Sequence, residues 1–306
     1  MPSSCNTVKP DLPTYLKSRC NIVDAALREF LPTAKTRPAT IHDAMRYSVF
    51  AGGKRLRPIL CMEAAEACGG KYEAALRPSA AVECIHTYSL IHDDLPCMDD
   101  DDLRRGQPTS HVKYGEGIAV LAGDALLTIA FEILADVKMS SRGRYNVADL
   151  VKELAVTAGS RHLVGGQVLD LEGEGEDVTL TPTELKYIHL SKTAALLTTS
   201  LRLGAMCANA TPRKLEALTD FGTNLGLAFQ IIDDILDVTQ SSENLGKSAG
   251  KDAATDKSTY PALFGLEKSR AEAAKLTEKA HLALNPLGRK AKRLREIADY
   301  LLDRDY

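Results

Sequence analysis

Tryptophan does not occur in this chain, and aromatic residues make up only 5% of its 306 positions. β-Rich folds draw on aromatic and β-branched residues, whereas Ala and Leu recur throughout here, so the composition favours helices. No segment alternates with the period of a strand and no solenoid-length repeat appears. The seven cysteines (Cys5, Cys20, Cys61, Cys68, Cys84, Cys97 and Cys207) are odd in number and form no CxxC. That argues against a disulfide framework or a zinc site and fits a reducing cytoplasm. A basic face is missing too: the net charge is −3 and the pI about 6.2, which excludes a nucleic-acid surface as the expectation. Walker A, GxGxxG and Ser/His/Asp patterns are absent, so P-loop phosphoryl transfer and covalent catalysis have no motif behind them. The start, Met1–Asn6, lacks a basic stretch followed by an apolar one, so no signal peptide is expected. The most apolar long run, Ile118–Val137, carries Asp124 and Glu132 and is expected to be a buried helix rather than a membrane span. No linker divides residues 1–306, which are read as one domain.

What is present is charge in a pattern. An apolar segment, Ser89-Leu90-Ile91-His92, runs into six carboxylates within ten residues (Asp93, Asp94, Asp99, Asp100, Asp101, Asp102) and then into Arg104 and Arg105. Dense negative charge delivered by a buried element must be neutralised. Oxygen-only ligands favour a hard cation, and Mg²⁺ usually takes one or two carboxylates together with substrate phosphates. Arginines can hold such phosphates bidentately. An acidic run alone is most often a solvated helix end. A second stretch, Phe229-Gln230-Ile231-Ile232-Asp233-Asp234-Ile235-Leu236-Asp237, repeats the design, and Asp233 and Asp237 share a helix face. Two such segments point to one metal–phosphate site between facing helix ends.

Periodicity predicts a helix from about 12 to 31, a short one capped by Thr40 and Asp43 and stopped at Gly52-Gly53, and another opened by Pro58 and ended at Gly69-Gly70. A long helix from Pro78 carries the first acidic cluster. Helices are expected at 117–137, 144–163, 185–203, from Thr211-Pro212, and at 260–284 and 289–303, with a capping box at Thr181-Pro182-Thr183-Glu184. Glu172–Asp177 reads as an exposed acidic loop. Asp93 and Asp99 lie about 240° apart on a regular helix and could not share an ion, so Pro96 is expected to break the helix and bring them together.

The cations fall into two groups: Lys54 and Arg57 in a Gly-rich turn, and Arg104, Arg105, Lys192, Lys247 and Lys257 near the acidic segments. One group can meet a phosphate directly and the other a phosphate bridged by metal, which implies two separately held diphosphates. Lys192 interrupts an apolar helix, where an unpaired ammonium would be costly.

Gly52-Gly53-Lys54-Arg55-Leu56-Arg57-Pro58, Asp93–Gly106, Gly123-Asp124-Ala125-Leu126, Gly166-Gln167, Lys192-Thr193, Phe229–Asp237 and Asp256-Lys257-Ser258-Thr259-Tyr260-Pro261 together resemble the trans-polyprenyl diphosphate synthases. The motifs span nearly the whole chain in family order, closest to the bacterial short-chain farnesyl type, and the spacer Leu95–Met98 is shared with plant-type geranylgeranyl synthases. The resemblance implies an all-α fold, a single large helical bundle around a deep central cavity (the isoprenoid synthase type I fold), and a homodimer. It implies that Asp93 and Asp99, supported by Asp94, and Asp233 with Asp237 hold three Mg²⁺ ions, with Mn²⁺ as a substitute. Arg104, Lys192, Thr193, Gln230, Lys247 and Lys257 would contact the allylic diphosphate or line its cleft, and Lys54, Arg57, His86 and Arg105 would hold isopentenyl diphosphate. The implied activity is head-to-tail condensation of dimethylallyl or geranyl diphosphate with isopentenyl diphosphate. Tyr88, five residues before Asp93, resembles the farnesyl-type floor, with Ser89 one turn below Asp93, so a C15 product is expected and C20 is the alternative. A class I terpene cyclase, which needs no second diphosphate pocket, and a non-catalytic partner subunit fit the motifs less well.

Overall fold

The computed structural model describes residues 11–173, 180–239 and 259–302. Helix α1 (Leu12–Phe30) begins where the Thr14 N–H donates to the Asp11 carboxylate at 3.1 Å, and α2 (Ala39–Val49) follows. Helices α3 (Leu56–Cys68) and α4 (Leu76–Asp93) are buried on nearly every side, so neither shows an amphipathic stripe. That is the signature of central helices. Next come α5 (Ser110–Tyr114), α6 (Glu116–Ala135), α7 (Val147–Ala158), α8 (Leu163–Glu172) and α9 (Pro182–Ile188). A π-helical turn, His189–Ala194, leads into α10 (Ala195–Cys207) and then α11 (Pro212–Thr239). Finally α12 (Tyr260–Phe264), α13 (Leu266–Ala283) and α14 (Lys292–Leu302) close the chain, α13 lying along α11. The fold is all-α; the strands among the described residues are one antiparallel pair, Leu103–Arg104 with Gln107–Pro108.

Leu60 of α3, Ile85 of α4, Leu126 of α6, Leu197 of α10 and Phe221 of α11 are fully buried in one core. Each contributes about 1.5–3 kcal/mol relative to exposure. Small residues bring the axes close: a Cβ added at Gly204 of α10 would lie 1.9 Å from the Cys61 carbonyl oxygen of α3.

The capping box at Thr181 is observed, with Glu184 N–H donating to Thr181 Oγ1 at 3.3 Å and Thr181 N–H to Glu184 Oε2 at 2.7 Å. Several expected boundaries shift. Helix α2 starts at Ala39 without a side-chain cap, because the Asp43 carboxylate instead accepts from the Tyr114 hydroxyl at 2.9 Å. Pro58 is the third residue of α3, still within the first turn, where a missing N–H costs nothing. The helix expected over 144–163 ends at Ala158, and α8 is a separate element. The helix expected over 260–284 divides at Gly265, whose φ of 82° a side chain would strain. The run 289–303 is regular helix from Lys292, after a 3₁₀ segment. Of the acidic loop Glu172–Asp177, residues 174–177 lie outside the described residues.

Substituting Gly204 with Val should therefore force α3 and α10 apart. Loss of about 1–3 kcal/mol is expected from overpacking, read as a lowered midpoint in thermal unfolding, while Ala at the exposed Gly117, with nothing within 4 Å, should leave the midpoint unchanged or raised.

Candidate functional site

Helix α4 ends at Asp93, earlier than Pro96, and the chain folds back on its own terminus. Asp99 N–H donates to the Asp93 carbonyl at 2.8 Å, Asp101 N–H to that of Asp94 at 3.2 Å, and Asp100 takes a positive φ of 50°. The return loop thus sets Asp99 beside Asp93, the convergence that a regular helix forbids. Burial raises the Asp93 carboxyl to about 6; Asp99 and Asp94 push the same way, while Lys192 and Arg104 oppose. A carboxylate in that condition gains from a cation.

Asp94 has a different task. It is only 4% exposed and accepts from Arg104 through Nε at 2.7 Å and through Nη2, and Arg104 also reaches Asp101 at 3.4 Å. Asp94 therefore holds an arginine at the acidic cluster rather than joining Asp93 as a bare ligand.

The second acidic helix divides its labour the same way. Asp234 is buried, accepts from the Tyr260 N–H at 2.9 Å and from Gln230 Nε2 at 3.3 Å, and lies 3.5 Å from His189 Nε2. Asp233, by contrast, acts electrostatically on Arg57 at the start of α3, and Asp237 sits one turn further on the same face. The Thr193 hydroxyl donates to Gln230 Oε1 at 2.8 Å. Since Lys192 acts on Asp93 while its neighbour Thr193 bonds α11, the π-helical turn lies between the two acidic ends. One extra residue in a helical turn re-aims side chains, and π-turns recur at functional sites.

Lys192 donates to Asp170 of α8 at 2.6 Å, so its ammonium is paired, as its place in an apolar helix demands. A Cβ at Gly166 would lie 2.6 Å from the Lys192 backbone nitrogen, so that glycine lets α8 approach.

The basic turn forms the other side. Gly52 and Gly53 have φ of 102° and 124°, and the Arg105 guanidinium lies against them, donating to the Gly52 carbonyl. A Cβ at Gly53 would stand 2.6 Å from that guanidinium. Arg57 Nη1 lies 3.2 Å from His86 Nε2. Burial and then Arg57, Arg105, Arg104 and Arg55 hold His86 well below the usual imidazole range, so the ring is neutral and Nε2 accepts from Arg57. Lys54 sits in the same exposed turn, its carbonyl accepting from the Cys20 thiol at 3.3 Å. Arg57 Nε and Gln167 Nε2 are buried donors with no acceptor among the described residues. Buried donors without acceptors, beside crowded carboxylates, suit an anion carried with a hard cation.

The structure thus gathers Asp93, Asp94, Asp99, Arg104, Lys192, Thr193, Gln230 and Asp233 around one end of the bundle, with Lys54, Arg57, His86 and Arg105 beside them. Lys247 and Lys257 lie outside the described residues. Tyr88 is 5% exposed, its ring edge-on to His92 at 5.8 Å, and Ser89 donates its hydroxyl to the His86 carbonyl at 3.0 Å. Asp170 and the buried His189 are absent from the sequence-derived site, and Tyr260 enters it only within the Asp256–Pro261 motif, with no role of its own. Asp170 was findable, since Gln167 and Asp170 are three apart on α8 and share a face.

A family model described as polyprenyl synthetase matches residues 38–298. The chain is 51% identical over 272 residues, 88% of its length and 73% of the relative's, to heterodimeric geranylgeranyl pyrophosphate synthase large subunit 1, chloroplastic, of Arabidopsis thaliana. It is 49% identical to geranylgeranyl pyrophosphate synthase, chloroplastic, of Capsicum annuum, covering 95% of this chain and 78% of that one. Among solved structures, an apo FPP/GFPP synthase from Zymomonas mobilis superposes with a TM-score of 0.85 at 37% identity, covering 95% of this chain and 98% of the other.

The two aspartates of the first pair should separate in experiment. Asp93→Asn removes a carboxylate that burial disfavours and should leave the unfolding midpoint unchanged or raised while turnover collapses. Asp94→Asn leaves Arg104 short of a charged partner and should cost about 1–3 kcal/mol of stability, so denaturant unfolding beside turnover distinguishes them.

Proposed function

The chain belongs to the polyprenyl synthetase family and is a short-chain trans-prenyltransferase; from that premise we propose that it adds isopentenyl diphosphate to allylic diphosphates until geranylgeranyl diphosphate (C20) is released. One observation carries the reading. Two acidic helix ends border a cation cluster that divides in two, Lys192 and Arg104 beside Asp93, and Arg57, Arg105 and Lys54 around the Gly52-Gly53 turn.

Asp93, Asp99, Asp233 and Asp237 are the residues that would hold Mg²⁺, whose charge stabilises a departing diphosphate. Lys192 and Arg104 align the allylic diphosphate, with Thr193 and Gln230 at their side. Its C1–O bond breaks and both electrons leave on the diphosphate, whose developing charge these cations stabilise. Arg57, Arg105 and Lys54 hold the second diphosphate so that its double bond meets C1. The new C–C bond forms from the double bond of the isopentenyl unit, leaving a cation at its C3, and a proton lost from C2 of that unit passes to the released diphosphate as the new double bond closes. His86 is no base here, because its Nε2 is occupied by Arg57. The apolar core excludes water, which would trap the cation.

The two geranylgeranyl pyrophosphate synthases named above favour C20 over the C15 product that Tyr88 leads one to expect, although the similar solved structure is an FPP/GFPP synthase, and the geometry of α4 supports C20. Ser89 lies about 40° around the helix from Asp93, whereas Tyr88 lies about 140° away, on the side of His92, whose Nε2 is 3.0 Å from the Val120 carbonyl of α6. A small residue therefore stands under the carboxylate.

The whole chain, 1–306, acts as one catalytic domain and pairs with its own copy through α6. That helix exposes Leu121 at 54% and Val120 at 39% although it is long and apolar enough to pass for a membrane span. The six described cysteines are free thiols, in keeping with a reducing compartment such as the cytoplasm; relatives named chloroplastic fit the same chemistry.

Purified protein given Mg²⁺, dimethylallyl diphosphate and excess labelled isopentenyl diphosphate should accumulate C20 product by chromatography. Accumulation of C15 would return the reading to the farnesyl type, and no consumption of label would end it. Ser89→Phe should shorten the product to C15 or less, whereas Tyr88→Ala should leave its length unchanged. Leu121→Glu should shift the mass measured by light scattering from dimer to monomer; a wild-type monomer would refute the self-pairing.

A further inference from the structure

Arg55 stands between Lys54 and Arg57 in sequence but points away from the diphosphate pocket that they are proposed to form. It is 4% exposed, and its guanidinium donates in three directions. Nε meets Asp24 of α1 at 2.8 Å, Nη1 meets Glu83 of α4 at 2.7 Å, and Nη2 meets the Val49 carbonyl at the end of α2 at 2.6 Å. The turn it anchors has little regular structure of its own. Gly52, Gly53 and Arg55 all have positive φ, and for a side-chain-bearing residue the 49° at Arg55 is a strained conformation. Such a conformation persists when its surroundings over-determine it, and three fixed acceptors on three helices do so.

Glu83 does more than hold Arg55. Its charge also acts on Arg57 and Arg105, opposing the burial that lowers both, and it lies one turn before His86 on α4. One buried carboxylate thus faces three arginines and leaves the cluster positive.

We propose that Arg55 and Glu83 are positioning residues that fix the basic turn, and with it the place of the pocket for the second diphosphate. This rests on the proposed assignment of that pocket to isopentenyl diphosphate. Arg55 itself touches no substrate. Its planar fork is what three divergent acceptors require, and a lysine ammonium cannot reproduce it.

The test is steady-state kinetics with each substrate varied in turn. Arg55→Lys should raise KM for isopentenyl diphosphate roughly tenfold or more, as expected where a planar three-way fork is replaced by a point charge, while KM for the allylic diphosphate and kcat at saturation stay near wild type. Glu83→Gln should move the same constant in the same direction. A purely structural role would instead raise both KM values together or lower only the unfolding midpoint, and either result overturns the proposal, as does no change. Should Arg55→Lys fail to fold, Arg55→Met/Glu83→Leu replaces the buried pair with apolar residues of similar volume, a change that usually keeps a fold. The same selective rise is expected there, and a wild-type KM in that folded variant overturns the proposal. Asp24→Asn, at the 38%-exposed limb of the network, gives a third variant with a smaller expected rise in that constant. Failure of wild-type protein to consume isopentenyl diphosphate would strike the assigned function rather than this pair.

Discussion

Burial raises the Asp93 carboxyl to about 6, and Asp99 and Asp94 add like charge around it. A carboxylate so placed is stable only if cations surround it, and much of the neighbouring structure supplies them. Lys192 comes from a π-turn, Arg104 from the hairpin that follows the acidic loop, and both carry their own carboxylate partners, Asp170 and Asp94. The partners matter because an unpaired buried charge is costly. Paired cations keep the site charged but open.

The same constraint accounts for the close approaches of the backbone. Gly166 admits α8 to the turn that carries Lys192, and Gly53 admits Arg105 to the basic turn. A side chain at Gly166 would press on the Lys192 backbone and one at Gly53 on the Arg105 guanidinium, so either would disturb the placement of a cation on which stabilisation of a leaving group depends. The small residues at the site and those between α3 and α10 thus serve different ends. The former set charge geometry; the latter set core density.

Much of this was legible in the sequence. The acidic segments, the basic turn and Lys192 announced themselves because charge beside apolar sequence is costly and needs a reason. Helix content follows from composition and capping, and the Thr181 box is legible because its two hydrogen bonds are local. Boundaries failed where a distant partner decided them. Asp43 reads locally as a cap but is taken by Tyr114, which lies 71 residues away. The π-turn was invisible because its cause is tertiary: Thr193 must reach Gln230 while Lys192 reaches Asp170. The C15 expectation rests on Tyr88's distance along α4, whereas direction around the helix places Ser89, not Tyr88, nearer the line of Asp93.

The paired aspartates show how one local sequence supports two roles. Adjacent residues on a helix point about 100° apart, so when the first of a pair faces the site the second must face protein. Asp94 and Asp234 are 4% and 6% exposed and are engaged by Arg104 and by the Tyr260 N–H with His189, respectively. Each engaged group belongs to the chain that returns after the acidic helix or to the turn facing it. An aspartate doublet therefore couples the charge of the site to the placement of its walls, and a single carboxylate at either position would have left one of the two undone.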